Sequence, residues 1–253
     1  MVLQAPAHPG TAGAKELALP PPFTQVRLRE LGDAFAHATS IASVEGAGTL
    51  VYVGRFDLAE FAVVLEPEEP LKLARRGFHA CMAAVTDALI AHAEPETHIV
   101  IDWPDSIHVN GGLVGGGRLT WPKDAKEDEV PDWLVFGAMI RTNAIIDVEP
   151  GLNPQITNLA EEGFSEFTPD RLMESFARNL MVALDAWQEQ GFGAVAKTFI
   201  ERMPRESGLR RSIGDNGDLL IQRTAKPGIE RLPFLSQIET PAWLDPATKA
   251  PRA

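Results

Sequence analysis

The sequence predicts an α+β fold: a mixed or mostly antiparallel sheet with packed helices, followed by a small β-rich region. Three observations carry this. Stretches 72–93 and 170–190 repeat apolar residues at three- and four-residue steps, the period of a helix buried along one stripe. Thr49-Leu-Val-Tyr-Val and Phe61-Ala-Val-Val-Leu are rich in β-branched and aromatic residues and are joined by a short polar link, as in a hairpin. Asn110-Gly111 is the strongest turn signal in the chain, because both positions of such a turn favour positive φ.

Taken in order, residues 1–22 read as a flexible lead-in, rich in Ala, Pro and Gly and closed by Pro20-Pro21-Pro22. They lack the basic start and apolar run of a signal peptide, so a cytoplasmic protein is expected. Leu28, Leu31, Phe35 and Ala38 recur at helical spacing and predict a helix near 28–43. The hairpin of 49–65 follows. Glu66-Pro67-Glu68-Glu69-Pro70 is a loop, since two prolines exclude a regular element. Phe78, Met82, Val85 and Leu89 form the stripe of the helix 72–93. Ile99-Val-Ile is a short buried strand running into Trp103-Pro104. Lys123 to Glu129 is a solvated loop, and the nearly all-apolar Trp133 to Ile140 is a central strand. Thr168-Pro169 starts a helix with a capping hydroxyl and a proline at the first helical position. Leu172, Phe176, Leu180, Leu184 and Trp187 continue it, and Gly191 ends it. A further helix covers about 193–203. Beyond Pro204 the signals become short strands around the turn Asp215-Asn216-Gly217-Asp218. The expected division is a lead-in at 1–22, a main domain at 23–204 and a small β-rich domain at 205–253.

Composition excludes several functions. The net charge of -12 repels nucleic-acid phosphates and acidic membranes, and no Lys/Arg run offsets it. No apolar stretch approaches the roughly 18–20 residues that span a bilayer. Cys81 is the single cysteine, so an intrachain disulfide is impossible and a reducing compartment is expected. Zinc-binding, P-loop and serine-hydrolase motifs are missing, and no metal site is expected from the spacing of His, Cys, Asp and Glu.

The densest concentration of signals lies in residues 101–117, Ile-Asp-Trp-Pro-Asp-Ser-Ile-His-Val-Asn-Gly-Gly-Leu-Val-Gly-Gly-Gly. Gly115, Gly116 and Gly117 offer backbone N–H groups with no side chains in the way of a ligand. A β-bulge or a close strand crossing accounts for the same glycines. Trp103 either walls an apolar pocket or fills core. Asp105 binds a metal or a ribose, or caps the turn after Pro104. Cys81 sits on the buried stripe beside Met82 and reads as core; His108 reads as a hairpin surface residue.

These residues resemble the biotin/lipoate protein ligase catalytic domain. In that family a strand ends in Lys-Trp-Pro-Asn-Asp, and a later strand carries Lys-(small/apolar)-Ala-Gly-Ile. Trp103-Pro104-Asp105 matches the corner, and Leu113-Val114-Gly115-Gly116 matches the later strand. Trp133 to Arg141, with Gly137-Ala138, is similar to the Gly-(Ala/Ile)-Gly-Ile-Asn strand. The helix 170–190, ending Trp187-Gln-Glu-Gln-Gly-Phe, is similar to the closing helix. Ile213-Gly-Asp-Asn-Gly-Asp-Leu-Leu-Ile resembles the strand–turn–strand of the small SH3-like C-terminal domain of biotin ligases. The resemblance spans about 23–245.

The resemblance implies a ligase that activates biotin or lipoate with ATP and Mg²⁺ and attaches the acyl group to a lysine of a carrier domain. It departs at the cations. Asp102 and Gly112 stand where lysines belong. The arginine-rich phosphate loop is set against Glu45-Gly46-Ala47-Gly48-Thr49, which keeps glycines and lacks arginines. Arg55, Arg118 and Arg141 are the candidate replacements. The expected substrate-binding set is Gly46, Gly48, Arg55, Trp103, Asp105, Gly112, Gly115, Gly116, Gly117, Arg118 and Arg141, with the catalytic residue left open. The expected partners are a carboxylic acid or acyl-adenylate, a biotinyl or lipoyl carrier domain and, through an edge strand, a second copy. The alternatives are an ATP-independent octanoyl or lipoyl transferase, and a binding module without catalysis.

Overall fold

The structure is a computed structural model that describes residues 16–144, 155–164 and 166–252. A seven-stranded sheet carries the molecule, in the order β1-β2-β3-β7-β6-β5-β4. Its strands are β1 (Thr24–Leu28), β2 (Thr49–Val53), β3 (Leu58–Leu65), β4 (Ile99–Asp102), β5 (Ser106–Val109), β6 (Gly112–Thr120) and β7 (Leu134–Arg141). Only β1 and β2 run parallel; the other neighbours are antiparallel. The mixed sheet expected from sequence is therefore present. The nearly all-apolar β7 is central, as its composition predicts, and is buried along most of its length.

The long helix predicted near 28–43 is a strand followed by a shorter helix. β1 takes Thr24–Leu28, and α1 spans Ala34–Glu45. Asp33 decides the helix start, because its side chain accepts the Ala36 N–H at 2.9 Å. Val26 and Leu28 pack beneath α1 at strand period, and Leu31 lies wholly exposed in the intervening turn. An apolar pattern shared between two elements had imitated one helix. The helix expected at 72–93 divides into α2 (Leu71–Ala74) and α3 (Gly77–Ile90). Arg76, Phe78 and His79 donate to carbonyls three residues back, so a 3₁₀ turn separates the two.

α3 is buried almost all round, which places it inside the molecule rather than on its surface. It packs with α4 (Pro169–Gln190) against one face of the sheet. Phe61, Phe78, Phe136 and Phe176 interlock there, with Phe61 and Phe176 centroids 4.8 Å apart. Thr168 caps α4 and Gly191 closes it, as the sequence signals. α5 (Phe192–Glu201) follows. The second sheet has the order β10-β9-β8, from β8 (Leu209–Ile213), β9 (Leu219–Arg223) and β10 (Ile229–Leu232), with the single turn α6 (Leu235–Ile238) after it. Leu219, Ile221, Phe234 and Ile238 join the main hydrophobic cluster, so the small sheet shares a core with the large one. Leu17 also enters that cluster, which docks the described end of the lead-in. No described helix is long and apolar enough to cross a membrane.

Candidate functional site

The other face of the large sheet holds the candidate site. α1 covers one half of it, through Ala34, Ala38 and Ala42 over Val51, Val53, Ala62, Val64 and Val135. The strand register lays out the floor beside the N-terminus of α1. Glu60, Met139 and Gly116 form one row across β3, β7 and β6. Ala62, Gly137 and Arg118 form the next.

Glu60 is buried, and its carboxylate accepts the Ala34 N–H at 2.9 Å, at the start of α1. Burial raises its pKa, while the Ala34 N–H and the Arg118 and Arg55 charges oppose the rise. Arg118 reaches Asp33 at 3.4 Å and lies 4.2 Å from the Phe35 ring centroid. Gly137 allows this packing, because a Cβ there would meet Phe35 at 2.5 Å. Burial lowers the Arg118 pKa, with Asp33 and Glu60 acting against it.

At the edge of the face, the β2–β3 connection is Gly54-Arg55-Phe56-Asp57. Arg55 forms a two-pronged pair with Asp57, Nε–Oδ1 3.1 Å and Nη2–Oδ2 2.5 Å. The Asp57 carbonyl accepts from Thr142 and Asn143, which ties this loop to the end of β7. On the far side, Asp105 is buried. It accepts from the Ser106 hydroxyl at 3.1 Å and from the Ala242 N–H at 3.2 Å. Burial pushes its pKa up to about 6.

The three glycines serve internal close approaches. Val114 is the extra residue of a β-bulge, since Ile107 pairs with Gly115 and His108 with Leu113. Gly115 takes φ +154, and a Cβ on it would lie 1.9 Å from the Met139 carbonyl oxygen. A Cβ at Gly117 would strike Met82 and Phe136 in the core at 2.5 and 2.7 Å. Gly116 alone points to the candidate face, where a Cβ would meet the Asp105 carbonyl oxygen at 2.1 Å and the Trp243 ring at 2.5 Å. The space over Gly116 is thus shared between the Asp105 backbone and the Trp243 ring, and each of the three glycines meets the chain itself.

The remaining predicted residues scatter. Arg141 lies at the same end of the sheet as Gly115 and donates to the Pro251 carbonyl at 2.6 Å and to the Arg252 carbonyl. Gly112 faces the 155–157 segment, where a Cβ would meet Thr157 at 2.6 Å. Trp103 fills core, 5.7 Å from His79 and 5.9 Å from Phe199 between ring centroids. Gly46 caps α1, and Gly48 bonds Val64, whereas Gly115 aligns through Ile140 with Ala59. Five residues of strand, about 17 Å, separate those rows. The structure therefore does not bring Gly46 and Gly48 to the other glycines. Cys81 is fully buried on the core side, and burial raises its thiol pKa.

Sequence reasoning missed Asp33, Phe35, Glu60 and Trp243. Glu60 had a signal, as the one charged residue in Leu-Ala-Glu-Phe-Ala-Val-Val-Leu. Asp33 stands as a cap before Ala-Phe-Ala-His. A separate cleft of about 710 Å³ opens at the opposite end of the sheet, beside Leu65, Trp187 and Phe192, and none of the predicted residues lines it.

A seven-stranded mixed sheet with its helices and a small three-stranded sheet defines a ligase-like α+β fold, and known proteins share it. The chain matches the Biotin/lipoate A/B protein ligase family over residues 19–201 and belongs to that family. A biotin protein ligase-like protein of unknown function from Silicibacter sp. TM1040 superposes with TM-score 0.73 at 25% identity, covering 87% of this chain and 98% of its own. Biotin protein ligase from Aquifex aeolicus, solved with biotin and ATP, gives TM-score 0.63 at 16% identity, with 82% and 94% covered. The Leishmania major ligase with biotin gives 0.54 at 15% identity, with 84% and 99% covered. The last two likenesses speak for the fold. No curated protein matches the chain.

Proposed function

We propose that this chain binds a carboxylic acyl group of the biotin, lipoate or octanoate class, or its preformed adenylate, on the α1-side face of the sheet. In this reading the acyl group is then attached to a lysine of a biotinyl or lipoyl carrier domain. The observation that carries it is the convergence of the α1 N-terminus, Glu60, Gly116, Gly137 and Arg118 in adjacent rows of one face. The Arg118 guanidinium suits an acyl oxygen or a phosphate, while the Ala34 and Ala36 N–H groups at the helix start are already taken by Glu60 and Asp33. Family membership and the biotin-bound Aquifex and Leishmania enzymes support the substrate class.

The residues present do not fit ATP with Mg²⁺. Adenylate formation brings a carboxylate to a triphosphate and needs cations to offset the repulsion. Here Arg55 is held by Asp57 and Arg141 by backbone carbonyls, which leaves Arg118, 3.4 Å from Asp33, as the single cation of the proposed face among the described residues. A preformed acyl-adenylate or thioester asks less of the site. A transferase working through an acyl-cysteine gains no support, because Cys81 lies in the core on the opposite face.

A second reading is a binding module without catalysis. It is favoured by Gly112, where the family's lysine would stand and where Thr157 fills the space. The test is calorimetric titration with biotin, lipoate, octanoate and non-hydrolysable acyl-sulfamoyl-adenosines, beside a pyrophosphate-release assay with ATP. The proposal expects acyl-adenylate analogues to bind and Arg118→Ala to weaken them at least tenfold. Failure of every acid and every analogue to bind would refute it. Binding without transfer to a carrier lysine would select the module.

A further inference from the structure

The chain's own C-terminal segment lies across the candidate site. Trp243 is fully buried against Leu58 and Met139, and its indole N–H donates to the Gly117 carbonyl at 3.0 Å. Its ring occupies the space beside Gly116 that a side chain there would need. The preceding residue, Ala242, donates to Asp105. Nine residues later the chain returns: Arg252 N–H donates to the Trp243 carbonyl at 2.7 Å, and Arg141 holds the Pro251 and Arg252 carbonyls. The segment closes on itself through the Leu244–Pro251 bridge and the bonds of Asp245 with Lys249 and Ala250.

This attachment is narrow. Of residues 241–252 only Trp243 and Pro251 are buried, and 246–249 are exposed. The buried indole, with the half-buried Leu244 packed beside it, one carboxylate and one guanidinium hold the strap. All three holding points, the Gly116–Gly117 floor, Asp105 and Arg141, belong to the site residues singled out from sequence.

We propose that residues 241–252 are an autoinhibitory strap whose Trp243 blocks this site until an acyl-adenylate-type ligand displaces it. The proposal rests on the acyl-binding reading above. Because the open form is a minor population, the apparent affinity of the full chain is reduced by the open fraction. The experiment uses the full chain and Trp243→Ala, titrated with biotinyl-, lipoyl- and octanoyl-sulfamoyl-adenosine. In parallel, trypsin cleavage of the exposed Lys249–Ala250 bond is followed in the unaltered chain with and without ligand. The expected results are at least tenfold tighter binding by Trp243→Ala and faster cleavage at Lys249 when ligand is bound. Equal affinities with unchanged cleavage overturn the strap and leave the acyl-binding reading intact. Absence of binding by both chains overturns the acyl-binding reading and the strap with it. Should Trp243→Ala fail to fold, the cleavage measurement on the unaltered chain decides alone.

Discussion

Asp105 offers a test of the site's electrostatics that needs no ligand. Its carboxyl is buried, with the Ser106 hydroxyl and Ala242 N–H as its side-chain partners, and its pKa is pushed up to about 6 from 3.8. Between about pH 4 and pH 6 the native chain keeps a proton that the unfolded chain has released. Stability from this group therefore falls as pH rises through that window and is level above it. The gap corresponds to about 3 kcal/mol at 1.36 kcal/mol per pH unit. Asp105→Asn preserves an oxygen acceptor for the Ala242 N–H and removes the buried charge. The variant should be more stable at pH 7 by about 2–3 kcal/mol, or roughly 5–10 °C in Tm for a chain of this size. At pH 4, where the native carboxyl is already neutral, the two proteins should agree within about 0.5 kcal/mol. Urea or thermal melts from pH 4 to 7.5 measure this. Parallel curves, or a variant less stable at pH 7, would refute the assignment of a buried, largely uncompensated carboxyl.

Other expectations follow from single contacts. Gly117→Ala drives a methyl into Met82 and Phe136 and should cost about 1–3 kcal/mol, read as a drop in the urea midpoint. Thr168→Ala removes the hydroxyl that accepts the Arg171 N–H at the start of α4, a loss of about 1 kcal/mol in the same assay. Phe176→Ala empties the space between Phe61 and Phe136 and should cost about 3–5 kcal/mol. Cys81 should resist thiol reagents in the native chain and react fully in denaturant; rapid native reaction would contradict its place in the core.

Much of the fold is legible in the sequence because its signals are local. Asn110-Gly111 adopts φ +49 and +89, as the turn requires, and Thr168-Pro169 and Gly191 bound α4. The nearly all-apolar β7 announced its central position. β1 was not legible, because its pairing with β2 is parallel and long-range, and its alternation merged with the start of α1. The site was half legible. Gly116, Arg118 and Arg141 share one face, since a strand's parity fixes which residues share a side, and Asp105 reaches β6 from the turn before β5. Gly46 and Gly48 do not join them, because register between distant strands decides distance along the sheet and sequence spacing does not reveal it. Gly117 points to the core for the same reason of parity, and Trp103 packs against it from the turn after β4. Trp243 lay in a proline-bounded tail with no periodicity, so its reach back to Gly117 could be learned only from the folded chain.

The central claim is that acyl ligands bind on the α1-side face. Hydrogen exchange of the full chain, with and without saturating acyl-sulfamoyl-adenosine, tests it most directly. The account predicts new protection at residues 33–36, 58–60 and 116–118, with loss of protection in 241–252. Protection confined to the cleft beside Leu65, Trp187 and Phe192, with no change at Glu60 or Arg118, would contradict it.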